Sequence, residues 1–225
     1  MTGIIYPIPT HWCWANNGWL NTIGFSDFAG SGVVHLAGGT CALVGAIILG
    51  PRLDRFNDES DTYVPGHNIP HVALGGFLLV AGFMAFNGGS QASITAPGKL
   101  HILIVFIHVL LFIFFKKLGD GQAVGTAVVS TLLACGTGGL VVLFMWKLTM
   151  PFSKSGNVWS LCKFINGCLA AMVSSSAGCN DFYPWISCLV SCISGLIYIF
   201  VSDFMVQMQI DDPLDAVAVH GGPGM

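Results

Sequence analysis

Five apolar runs dominate this chain, at 28–50, 69–90, 121–146, 159–179 and 185–206. A helix that crosses a bilayer needs roughly 20 predominantly apolar residues, and each run is long enough. No water in hydrocarbon satisfies a free backbone N–H or C=O, so runs of this kind read as α-helices whose hydrogen bonds close within the segment. A sixth run opens near 212 and reaches Met225, and another at 100–115 is apolar but short. Gly50-Pro51, Pro65-Gly66, Pro151 and Pro184 punctuate the joins. The expected fold class is an all-α polytopic membrane protein.

Composition agrees with that reading. Charged residues make up 8% of the chain, against about 25% in a soluble domain. The formal net charge of −3 offers nothing to a nucleic acid. Small residues at Ala127, Thr131, Cys135 and Gly139 form a small-xxx-small face, which lets helix backbones approach in lipid. Trp12, Trp14 and Trp19 cluster as they would at a membrane–water interface. Residues 1–14 read as the end of a helix, and no cleavable signal peptide is evident. The 8 cysteines lie scattered in apolar runs without a Cys-x-x-Cys pair, so they read as small buried residues rather than zinc ligands or disulfides. No nucleophile, base and oxyanion set can be assembled, and the chain is expected not to be an enzyme and to hold no cofactor.

Two matched spacings stand out within the runs. Asp27 precedes His35 by eight positions, and Asp212 precedes His220 by eight. An imidazole in a greasy segment costs solvation free energy, so a matched pair points to one shared site. Orientation follows from Lys and Arg in short loops. Arg52 and Arg55 place loop 51–66 in the cytoplasm, and Lys147 and Lys154 place the loop after 121–146 there too. Helix 28–50 then starts outside and the run after Asp212 starts inside. The two copies are expected to run in opposite directions, as in transporters built from inverted repeats around a midplane site. Were 100–115 to span, the copies would run in parallel and Lys147 and Lys154 would lie outside. Charge bias and symmetry oppose that, and 99–118 is read as a non-family insertion. The competing reading is a re-entrant or interfacial helix.

These residues resemble a known family. Asp27-Phe-Ala-Gly-Ser-Gly-Val-Val-His35, Leu49-Gly-Pro-Arg52, His67-Asn-Ile-Pro70, Gly82-Phe-Met-Ala-Phe-Asn-Gly-Gly-Ser90 and Asp211-Asp-Pro-Leu-Asp-Ala-Val-Ala-Val-His-Gly-Gly222 look like segments of the ammonium transporter/Rhesus family, in its ammonium-transporter branch. The likeness covers nearly all of 1–225 except 99–118, and joining Gly98 to Gly119 restores a family-like loop. The resemblance implies a partial ammonium-transporter fold, an inverted-repeat helical bundle running from the end of the fourth family helix to the start of the tenth. It further implies a trimer of eleven-helix subunits in the plasma membrane, each with its own apolar pore for ammonium or ammonia.

The same resemblance assigns roles. His35 and His220 match the paired pore histidines, and Phe86 one of the phenylalanines that close the pore. Trp14 and Ser90 match residues that recruit ammonium at the outer face. Asp27 matches the acid beneath that site, and Asp212 its second-repeat counterpart. By its place at a helix start, Asp27 is expected to cap backbone N–H groups rather than bind the ion. Trp14 also reads as an interface anchor, Phe86 and Ser90 as packing residues, and the histidines as helix–helix hydrogen bonders. His11, His67, His71, His101 and His108 read as loop, interface or insertion residues. Phe83 replaces an aromatic position usually held by Trp, and Pro223 interrupts a stretch that the family continues with apolar residues. Transport of ammonium or ammonia is the expected function. A fragment that associates with full-length homologues without transporting is the alternative, and a metal or haem site on the two histidines is a weaker third.

Overall fold

The computed structural model describes residues 2–56, 67–92, 120–149 and 159–225. Segment 99–118, read as an insertion, and Lys154, read as cytoplasmic, lie outside the described residues. Helices α1 (Pro7–Trp14) and α2 (Trp19–Thr22) come first. A wide π-helical turn, π1 (Ser31–Leu36), runs straight into α3 (Ala37–Leu49). Then follow α4 (Ile69–Gly89), α5 (Asp120–Thr149), α6 (Leu161–Ser175), α7 (Pro184–Gln207) and a second wide turn, π2 (Val217–Gly221). Segments Ser31–Leu49, Ile69–Gly89, Asp120–Leu148 and Pro184–Gln207 are long and apolar enough to cross a membrane.

Local chemistry sets the helix ends. Asn68 caps α4, its side chain accepting from the His71 N–H at 3.0 Å, with Pro70 in the first turn where a missing N–H costs nothing. Ser160 does the same for α6 by accepting from the Lys163 N–H. Pro184 opens α7, and Gly50 stops α3 with a φ of +71°, which a side chain would resist.

One expected span is shorter than its sequence suggests. The run 159–179 yields a helix of 15 residues, α6, which at 1.5 Å per residue reaches roughly 22 Å, short of a hydrocarbon core of about 30 Å. Residues 176–179 turn instead, and their carbonyls serve the chain entering π1: the Phe28 N–H donates to the Ala177 carbonyl and the Ala29 N–H to that of Ser176, both at 2.9 Å. Ser176 and Cys179 of this turn are fully buried, and non-helical backbone in a membrane protein is tolerated where protein covers it. Ala170, Ala171, Met172 and Val173 of α6 are fully buried.

The small-residue face of α5 packs as its spacing predicts. Ala127 and Thr131 are fully buried. A Cβ on Gly139 would collide with Cys168 and Phe164, and one on Gly138 with Ala171. With lipid as apolar as leucine, such close van der Waals fit is what holds helices together. The outward faces are apolar too: Leu74, Phe77 and Leu78 of α4 and Phe200 of α7 are well exposed. Between the helices, Phe83, Val142, Met172, Val173, Tyr198 and Val219 form one core, which π2 enters through Val219.

The two Asp-x7-His copies cross antiparallel. Gly39 lies against Gly221, while Ser31 and Leu36, earlier in the first copy, lie against Gly224, later in the second. The bundle is an inverted repeat.

Candidate functional site

Each histidine rides on a wide turn capped by an aspartate. The Asp27 carboxylate, only 4% exposed, accepts from four backbone N–H groups: Gly30 and Ser31 on Oδ1 at 3.0 and 2.8 Å, Gly32 and Val33 on Oδ2 at 2.9 Å. A helix start leaves about four such donors unpaired, so one side chain satisfies the whole N-terminus, with the helix dipole adding to the attraction. Gly30 makes the entry possible with a φ of +99°. The next turn is widened by one residue, the His35 N–H reaching back five positions to the Gly30 carbonyl at 3.0 Å. In the second copy, Asp212 accepts from the N–H groups of Ala216 and Val217 at 2.9 and 2.7 Å. The Gly222 N–H likewise reaches five back, to Val217.

These turns bring the histidines together. His35 Nδ1 and His220 Nδ1 are 3.2 Å apart, with ring planes 14° from parallel. Because both atoms are ring nitrogens, one must donate and the other accept. The rings therefore take complementary tautomers: one keeps a bare Nε2 acceptor, the other an Nε2–H donor. His35 Nε2 is buried and has no hydrogen-bond partner among the described residues.

Aromatic rings wall this pair. Phe83 lies over His35 with centroids 5.4 Å apart and planes 20° from parallel, and Phe86 stands 5.7 Å away at a tilt of 56°. Phe86 remains 39% exposed. One turn on, Ser90 donates its hydroxyl to the Phe86 carbonyl at 2.7 Å, leaving its oxygen to accept. Trp14 donates its indole N–H to the Asp27 carbonyl at 2.7 Å, and its ring borders Gly30. The structure thus joins Trp14 to Asp27, Ser90 to Phe86 and Phe86 to the histidines. Trp14 and Ser90 share no hydrogen bond among the described residues.

Three features escaped the reading of the sequence. In the sequence Phe83 stands out only as a Phe in a position usually held by Trp, although its i, i+3 spacing from Phe86 places both on one face of α4. Asn87, fully buried, donates to Thr131 and accepts from Ser176, each at 2.9 Å, tying α4 to α5 and to the turn after α6. Lys163 pairs with Asp215 across α6 and the approach to π2 at 3.0 Å. No sequence spacing announces the last two, because their partners lie 44 to 89 and 52 positions away.

On the far side of the crossing, Asp211 fastens the end of α3 to the start of the second copy. Arg52 donates to it from the backbone N–H at 3.0 Å, from Nε at 2.6 Å and from Nη2 at 2.9 Å, and Arg55 Nε adds a fourth bond at 3.3 Å. The Arg52 side chain holds the Asp211 carboxyl down to about 2, and the same bond raises Arg52 above its ordinary value. Among the described residues, no group of three or more His, Cys, Asp or Glu is placed to hold a metal ion.

Comparison with known proteins follows the same lines. A model described as Ammonium Transporter Family matches residues 1–225. The chain is 41% identical over 231 residues to "Putative ammonium transporter 1" of Caenorhabditis elegans, covering 98% of this chain and 38% of that protein. It is 34% identical to "Ammonium transporter 1 member 2" of Oryza sativa subsp. japonica, covering all of this chain and 44% of that one. Among solved structures it resembles a "Sensor Amt Protein" at 30% identity and a TM-score of 0.77, over 98% of this chain and 49% of the other. The crystal structure of Candida albicans Mep2 is similar at 28% identity and a TM-score of 0.76, over 98% and 42%. The chain spans about two fifths of the length of these curated relatives.

Proposed function

The chain belongs to the ammonium transporter family, and from that premise we propose that its residues form part of a path for ammonium and ammonia through a hydrophobic pore lined by His35 and His220. The antiparallel approach of the two imidazoles, Nδ1 to Nδ1 at 3.2 Å beside Phe83 and Phe86, carries this reading.

The chemistry is that of a small cation that must not enter oil charged. Placing a full charge at the bilayer centre costs about 2.5–3.5 kcal/mol or more. At the entrance, the Trp14 face offers a cation–π contact, worth about 0.5–1 kcal/mol where water still reaches it, and the Ser90 oxygen offers a hydrogen bond. Asp27 contributes by ordering the backbone around Trp14, its oxygens being committed to four amides. Beyond Phe86 a neutral ammonia meets an imidazole pair with one donor and one acceptor on its outer nitrogens. That set complements a molecule with one lone pair and three N–H groups. The unpartnered His35 Nε2 gains a partner as ammonia passes, so an atom that is costly to bury empty becomes a favourable stop. The proton released at the entrance can cross on imidazoles, whose ordinary pKa near neutrality suits a relay.

Phe86 is 39% exposed, beside the histidines, and this supports a second reading for the chain taken alone: it does not conduct by itself but associates with full-length subunits, in a homotrimer or a mixed assembly, in the plasma membrane. Segment 99–118 is read with it as an insertion outside the family architecture, consistent with the antiparallel crossing of the two copies.

Uptake of labelled methylammonium separates the readings. Cells without ammonium carriers of their own, expressing this chain alone, should show none, and expressing a longer protein that contains it should show uptake abolished by His220→Ala. Uptake by the chain alone would sink the second reading. Unchanged uptake in the His220→Ala variant would sink the first.

A further inference from the structure

Lys163 and Asp215 form an ion pair that the transport reading does not use, with side chains 19% and 22% exposed. Lys163 Nζ donates to Asp215 Oδ2 at 3.0 Å and to the Ser202 hydroxyl at 2.7 Å. The Trp146 and Tyr198 rings lie 5.1 and 5.3 Å from the ammonium. The carboxylate is as heavily engaged: Tyr198 donates its hydroxyl to Oδ2 at 2.7 Å, Asn166 its amide to Oδ2 at 3.2 Å, and Ser202 its hydroxyl to Oδ1 at 3.2 Å. Groups from α5, α6 and α7 thus converge on one residue at the threshold of π2.

That residue holds an unusual backbone. Asp215 has a φ of +54°, a left-handed conformation uncommon outside Gly and taken by Asp more readily than by most residues. Its carbonyl accepts from the Val219 N–H at 2.8 Å, and its own N–H donates to the Asp212 carbonyl at 3.1 Å. Val219 adjoins His220. The side-chain anchor, the left-handed backbone and the turn that aims the imidazole are therefore one continuous piece.

We propose that Lys163 is a positioning residue for His220: its ammonium anchors Asp215, and Asp215 fixes the turn that brings the His220 ring to His35. The inference rests on reading those two histidines as a pore pair. Uncharging Lys163 leaves the partly buried Asp215 carboxylate without its cation, held by Tyr198, Asn166 and Ser202 alone. The left-handed turn then relaxes and the His220 ring swings away from His35.

The test is nitrogen NMR on the 225-residue chain, labelled with 15N in its histidine rings and reconstituted in lipid. The unmodified chain should show one of the two imidazoles with a protonated Nδ1, the other with a bare Nδ1, and a 15N–15N contact between them. In Lys163→Met, that contact should be lost while the helical circular dichroism is retained. Retention of the contact overturns the proposal, including when only the thermal midpoint falls, since that is what a merely structural ion pair would do. Should Lys163→Met not fold, Lys163→Met with Asp215→Asn removes both charges and avoids the stranded carboxylate; loss of the contact there supports the proposal and its persistence overturns it. Absence of the contact from the unmodified chain overturns the pore-pair reading and this inference together.

Discussion

Gly39 lies backbone to backbone against Gly221, one residue past His220, at the point where the two copies cross. A Cβ on Gly39 would overlap the Gly221 amide and the His220 carbonyl carbon, and neither is a side-chain end that can step aside. Glycine here sets how near the two imidazoles can come.

Gly39→Ala should therefore lower stability by about 1–3 kcal/mol, the usual cost of forcing extra volume into a packed contact. Gly45→Ala, on the same helix but with open space around it, should instead stabilise by about 0.5–1 kcal/mol by removing glycine's backbone freedom. Thermal unfolding of both variants in detergent checks the sign of each.

Asp27→Ala strands four amide donors at the mouth of π1. The expected loss is about 2–3 kcal/mol, from a missing cap together with unsatisfied buried groups. Asp212→Ala, which frees the donors of Ala216 and Val217, should cost less. Chemical denaturation of the two variants, compared at equal detergent, decides the order.

Acid should loosen the clamp between Arg52 and Asp211. The folded-state value of Asp211 is about 2, below about 3.9 for a free aspartate. A depressed carboxyl contributes stability that is complete above the unfolded value and is lost as pH falls through the folded one. The contribution should thus fade between about pH 4 and pH 2. Arg52 is 46% exposed, so solvent screening keeps the effect modest. Melting curves over that interval should fall less steeply for Asp211→Asn than for the unmodified chain, and parallel curves would remove Asp211 as the cause.

Trp14→Leu removes the aromatic face from the proposed entrance. A cation–π contact of about 0.5–1 kcal/mol corresponds to a roughly two- to fivefold rise in the methylammonium concentration needed for half-maximal uptake. Trp14→Phe keeps a ring but loses the bond to the Asp27 carbonyl, and should fall between the two. The measurement is concentration-dependent uptake by a longer protein carrying this chain.

Much of the architecture was legible because lipid permits so few solutions. Segments 69–90 and 185–206 predict α4 and α7 within about two residues, since apolar length alone specifies a helix where backbone groups have no other partner. Segment 159–179 misled because α6 is walled by protein rather than lipid, which lets its end unwind at Ser176 and give carbonyls to Phe28 and Ala29. Within the candidate site, the Asp-x7-His spacing is local and therefore visible. Lys163 is a single charge in an apolar run, and its partner could be identified only after the chain had folded across 52 positions. The Phe83 ring over His35 was hidden for the same reason.

The wide turns under His35 and His220 carry one more consequence. Each is closed by a bond reaching five residues back, where an ordinary helix reaches four. With one residue fewer, either turn would close on bonds reaching four back, and its imidazole would leave the helix at a different point of the circumference. The meeting of the two rings is thus written in the length of the chain between acid and imidazole as well as in the residues themselves.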